Sequence, residues 1–143
     1  MSIDSQALAT EITTDPAALG YAAPLAAGAD QALADILNLV RTGVTFKIDR
    51  EPITAAAFLA QCSSTEFLAL TQLKLSQLST VFAAQMIDIN DVSTQAILLG
   101  IFPAAGTTKA NIQAILKRNG SRAEVLFGRG AIVTADDIAR ARG

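Results

Sequence analysis

Helix-start signals recur at short intervals along this chain, most densely in its last 37 residues, and they mark it as mainly helical. Ser63-Ser64-Thr65-Glu66 and Ser121-Arg122-Ala123-Glu124 both have capping-box spacing. In that motif a serine oxygen and a glutamate carboxylate reciprocally satisfy backbone N–H groups that the first helical turn leaves free. Thr134-Ala135-Asp136-Asp137 repeats the signal, with acidic residues where the helix dipole favours them. Thr54 caps a helix over Ala55–Gln61, and Asn90-Asp91 caps one reaching Phe102, ended by Pro103 and Gly106. Thr107 or Thr108 opens a helix holding Ile112, Ile115 and Leu116, which Asn119-Gly120 stops. The Ser121 helix stops at Gly128.

Apolar spacing fills in the rest. Ile3–Thr13 reads as a weakly amphipathic helix, and Asp15-Pro16 as a cap followed by a short turn of helix over Pro16–Leu19. GYAAPLAAGAD reads as a loop anchored by Tyr21, the single tyrosine. Leu33, Ile36, Leu37 and Val40 lie at i, i+3, i+4 and i+7, a clear helix. Over about residues 43–48, Val44, Phe46 and Ile48 alternate with Thr45, Lys47 and Asp49, which predicts one short strand, with Ala131–Val133 as its candidate partner. From about Thr65 to Met86 the apolar residues cover roughly 220° of a helical wheel, far more than the stripe of a surface helix, and predict a long central helix. The expected fold is therefore mainly α: a small helical bundle around the helix at 65–86. Residues 1–106 would be the body and residues 107–143 a helical C-terminal extension, within one domain.

Charge is unevenly placed. Residues 109–143 hold seven basic and three acidic side chains, a net of +4, and residues 1–108 a net of −6. Overall only 17% of residues are charged, mean hydropathy is +0.40, and 28 are alanine. With so few charges, an isolated subunit leaves apolar surface exposed, and such surface usually marks an interface. The basic residues Lys117, Arg118, Arg122 and Arg129 are candidate partner contacts. So is Tyr21 in the DPAALGYA turn. Val44 and Phe46 join them because a lone strand can add to a neighbour's edge.

The composition argues against catalysis. No histidine is present, which removes histidine triads, imidazole metal sites and the commonest general acid–base group. The single cysteine, Cys62, reads as a small core residue; alone it forms neither a zinc site nor an internal disulfide. No phosphate-binding glycine motif occurs; Gly128-Arg129-Gly130 reads as a helix stop. No catalytic residue, cofactor or metal is expected. The longest apolar run, Ala96–Ala105, is far short of the ~20 residues of a membrane span, and Met1–Thr10 has no secretory-signal pattern. Ile112–Leu126 has the outline of a helix-turn-helix, but AEVLFG offers no side chain to read bases.

Three stretches together carry a resemblance. LATEITTDPAALGYA (Leu8–Ala22) with DQALADILN (Asp30–Asn38), and the closing NGSRAEVLFGRGAIVTADDIARA, are similar to a family of small virion proteins of long-tailed bacteriophages. That family shows L-x-x-E-I-x-x-DP-x-x-x-GY before a helix ending in Leu-Asn, and an SRAE-LFG-G-VT ending. The middle, Thr42–Thr108, adds only helical character. The resemblance implies a structural protein at the head–tail junction of a virion, made in the host bacterial cytoplasm. The role it implies is an adaptor forming a homo-oligomeric ring, twelvefold to match a portal. Its partners would be the portal protein and a tail terminator or tail-completion protein, with non-specific contact to packaged DNA and no membrane. Tail completion, capsid decoration, an assembly chaperone and a small DNA-binding regulator are the alternatives.

Overall fold

The computed structural model describes residues 2–143 and is mainly α, with two small two-stranded sheets. Ten helices are found among the described residues. Helix α1 is Ser5–Thr14, α2 Ala22–Ala26 and α3 Asp30–Asn38; a 3-10 turn at Val44–Phe46 leads into β1, Lys47–Asp49. Then come β2 (Ile53–Thr54), α4 (Ala55–Gln61), α5 (Ser64–Leu68), α6 (Gln72–Phe82), β3 (Met86–Ile87), α7 (Val92–Ile101) and α8 (Thr107–Ile115). The chain ends with β4 (Lys117–Asn119), α9 (Arg122–Phe127) and α10 (Ala135–Arg142). Strand β1 pairs with β4, and β2 pairs antiparallel with β3, Ile53 opposite Ile87.

Two compact units result. The first joins residues 1–48 to residues 119–143, and the second is the segment between them, residues 49–118. The expected division into body and extension at 106/107 coincides with neither boundary between these units. Residues 107–118 fold with the second unit, and α9 and α10 pack with α1 and α3 in the first.

In the first unit, Leu8, Ile12, Tyr21, Leu33, Leu37, Val133 and Ile138 close one core. Asp4 caps α1 by accepting from the amides of Gln6 and Ala7 at 2.9 and 3.1 Å. The capping boxes expected at Ser121–Glu124 and Thr134–Asp137 are both formed. Ala131–Val133 is not a strand, because a side chain takes the ladder's place. Asn38 donates to the Val133 carbonyl at 2.7 Å and accepts from its N–H at 2.9 Å. Asp15 does not start a helix over 16–19. It ends α1 with φ +45°, and its carboxylate accepts from the amides of Leu19, Gly20 and Tyr21, so that stretch is a loop. The expected loop that follows contains α2.

In the second unit the core is Phe58, Leu78, Ile87, Ile89, Leu98, Ile101, Phe102 and Ile112. The long central helix is absent. Its span breaks at Ala69–Thr71, where Thr71 caps a new helix through the Lys74 amide. Only Leu78 of α6 is buried. One straight helix would bury a 220° arc only if neighbours surrounded it. Breaking the arc turns Phe67 and Leu70 inward against the core and leaves Leu73 on the surface.

A second departure from the expected pattern lies at Glu66. The Ser63 oxygen accepts from the Glu66 amide as expected, but the Glu66 carboxylate caps another helix, accepting from Thr108 N–H at 2.9 Å. Buried Thr108 returns the favour: its hydroxyl oxygen accepts from Ser63 N–H at 2.8 Å. The capping box is thus exchanged between α5 and α8. Gly106 makes room for it, since a Cβ there would overlap Glu66 Oε2. Thr108→Ala leaves the Ser63 N–H without its partner and should cost about 1–3 kcal/mol. Thr108→Ser should restore most of this in a urea melt; equal losses in the two variants would rule out the hydroxyl's role.

Helix α8 stops at Ile115 rather than at Asn119-Gly120 because other residues take its last carbonyls. Arg50 Nε donates to Ile115 O at 2.7 Å and Asn90 Nδ2 to Leu116 O at 2.9 Å. The following Lys117–Asn119 is then free to extend as β4.

Candidate partner-binding surfaces

The basic residues of the last third of the chain were the first candidates for partner contact, and most are already engaged within the chain. Arg122 makes a two-point ion pair with Glu11, Nε to Oε1 at 2.7 Å and Nη2 to Oε2 at 3.0 Å. Glu11 is only 4% exposed, on the same face of α1 as Leu8 and Ile12. The hydroxyl of fully buried Tyr21 donates to Glu11 Oε1 at 3.0 Å. Burial and the Glu11 charge push the Tyr21 phenol well above its usual range. The bonds to Glu11 hold the Arg122 guanidinium even more firmly protonated. Burial alone would raise the Asp15 carboxyl, but its amide bonds and the Arg122 charge outweigh that and lower it. Tyr21 is therefore a core residue of the first unit, and Arg122 is tied to the buried Glu11 beside it.

Lys117 pairs with Asp49, Arg118 with Glu51 through two nitrogens, Arg140 with Asp137 and Arg142 with Asp30. The opposite charges of the two ends of the sequence thus largely neutralise one another inside the fold. At half-exposed positions such as Lys117–Asp49 these pairs add little stability. Arg129 is exposed. Val44 lies in the 3-10 turn ahead of β1 and is 90% exposed. Phe46 is half-buried beneath the Arg41 guanidinium, 6.0 Å from its ring centre, and its carbonyl accepts from Gly120 N–H.

Exposed apolar side chains occur on both units, and on the second they lie on helices with almost no charge. Helix α7 (VSTQAILLGI) carries no charge and buries only Leu98 and Ile101. Val92 is 81% exposed, and Ile97 and Leu99 are about half exposed. On α6 the only charge is Lys74, and Leu73 is 69% exposed. A shallow groove between the two helices is lined by Gln77, Thr80 and Val81 on one side and Ala96, Ile97 and Gly100 on the other.

A second depression opens between α7 and α8. Its floor is Ile89, Leu98, Phe102 and Ile112, its rim includes Leu99 and Leu116, and its volume is about 160 Å³. Lys109 and Gln113, one turn apart on α8, also line it. Lys109 is the sole charge of either helix, and among the described residues it has no hydrogen-bond or ion-pair partner.

Reactive groups are muted. Burial and the neighbouring Glu66 charge raise the Cys62 thiol to about 11, so it stays protonated near neutral pH. No group of three or more potential metal ligands occurs among the described residues, and none of their helices is long and apolar enough to cross a membrane. Sequence reasoning missed the Glu11 cluster although its signal was legible: a glutamate at i+3 from Leu8 and directly before Ile12 lies on the apolar face of its helix. No protein-family model, curated protein or solved structure matches this chain.

Proposed function

We propose that this chain is a structural subunit of an assembled particle, and specifically a virion protein of a long-tailed bacteriophage, acting as head–tail adaptor. The observation that carries the reading is the exposed surface of α6 and α7, two helices that carry a single charge, Lys74, between them. Leaving Val92, Ile97, Leu99 and Leu73 in water is unfavourable by about 25 cal/mol for each Å² of apolar area, and docking against another protein removes that cost. Ring subunits present such faces because each must meet a neighbour on two sides. The stretches that resemble the virion family lie towards opposite ends of the sequence, yet they fold into one unit, and the first and last of them meet through Glu11, Tyr21 and Arg122. The internal pairing of Lys117, Arg118, Arg122, Arg140 and Arg142 disfavours a DNA-binding regulator, which needs free cations along one face.

Mass spectrometry of purified particles of the encoding phage tests the reading, with the chain expected at a fixed copy number. Ile97→Lys and Val92→Lys change exposed positions and should alter stability by no more than about 0.5 kcal/mol. Each should lower incorporation into particles at least severalfold. Absence of the chain from finished particles, or normal incorporation of both variants, would defeat the proposal.

A further inference from the structure

The depression between α7 and α8 has a size and a charge that specify what fits it. We infer that it is a socket for one large aliphatic side chain of a partner polypeptide, with an acidic residue next to that side chain meeting Lys109. The inference goes beyond the assembly role and does not depend on the particle being a virion. At about 160 Å³ the depression is well below the ~300–1,000 Å³ of pockets that enclose small-molecule ligands. It is large enough for a leucine or isoleucine entering from outside. Its floor is core: Ile89, Leu98, Phe102 and Ile112 are all buried, so a seated side chain touches packed apolar atoms on several sides.

Lys109 supplies the selectivity. It is half-buried, has no hydrogen-bond or ion-pair partner among the described residues, and is the only formal charge on the two helices that form the walls. A carboxylate beside the entering side chain completes that cation, and a lysine or arginine there is repelled. Gln113, one turn further along α8, adds an amide that can bond the partner's backbone at the same lip. Leu99 on the rim is about half exposed, and a seated segment would cover it.

The test uses the full chain and amide chemical shifts in titrations with short blocked peptides. Acetyl-Ala-Leu-Glu-Ala-amide should move amides within residues 89–116. Replacing its leucine by alanine should weaken binding about tenfold, the effect of removing several carbons from an apolar pocket. Replacing its glutamate by lysine should weaken binding about threefold, as expected for a partly exposed charge contact. Lys109→Glu should reverse the preference between the glutamyl and lysyl peptides and keep the need for leucine, and Lys109→Gln should erase the preference. Thermal melts of both variants should match the parent. No shift at about 10 mM peptide, which excludes even weak millimolar binding, overturns the socket, as do shifts outside residues 89–116 or an unchanged charge preference in Lys109→Glu. Hexanoate binding as tightly as the peptide would overturn the polypeptide assignment and mark a small-carboxylate site.

Discussion

Arg122→Met should destabilise the folded protein by about 3–5 kcal/mol, the usual consequence of leaving one member of a buried ion pair without the other. Glu11 is buried on the face of α1 that also carries Leu8 and Ile12, and Arg122 supplies both of its charged hydrogen bonds. Methionine fills similar space but donates nothing, so the carboxylate keeps only the Tyr21 hydroxyl. Arg122→Lys should lie between the two, because an ammonium cannot make the paired, coplanar contact of a guanidinium. The double variant Glu11→Gln with Arg122→Met should recover much of the loss, since no isolated charge then remains. Urea unfolding followed by circular dichroism reads all three. A loss below about 1 kcal/mol in Arg122→Met would show that water reaches Glu11, and the pair would then count as a surface contact.

Phe58→Ala is the corresponding expectation for the second unit, again about 3–5 kcal/mol. Phe58 is fully buried at the centre of that core and meets Phe82 edge to face, ring centres 5.7 Å apart and planes at 70°. The loss combines removed apolar contact, the cavity left behind and the aromatic pair, itself worth about 0.5–1.5 kcal/mol. Phe58→Leu should retain more than half of the stability. Hydrogen exchange locates the effect: amides of α4, α6 and α7 should lose protection first. Unchanged protection there would mean that α4 is peripheral and that Leu78, Leu98 and Ile101 hold the core without it.

Local chemistry was legible in this sequence and long-range chemistry was not. The caps at Thr54, Ser63, Asp91, Ser121 and Thr134 all form, because each needs only an oxygen and an amide two or three residues apart. The predominantly helical character follows from the same signals. Asp15 and Thr71 were misread on local bonds, and the other misreadings occur where a distant residue takes over a local bond. Glu66 reaches Thr108 and not its own Ser63, and Asn38 occupies the Val133 backbone that alternation offered to a strand. Arg50 and Asn90 end α8 early, and the strand near residue 43 begins only at Lys47, after a 3-10 turn, and pairs with β4. The candidate contacts divide along the same line. Positive charge near the C-terminus suggested a docking surface, but net charge says nothing about partners inside the chain. Lys109, whose amine has no partner among the described residues, was indistinguishable from its neighbours by sequence alone.

The order of the two units along the chain has an evolutionary consequence. Residues 49–118 leave the first unit after Ile48 and return at Asn119, and the strands at those points, β1 and β4, are hydrogen-bonded to one another. A segment whose entry and exit lie side by side behaves as a cassette: it can lengthen, shorten or be exchanged without stretching the host around it. Natural variation can therefore remodel α6, α7 and α8, the surfaces that would choose partners, while α1, α3, α9 and α10 keep one unaltered frame.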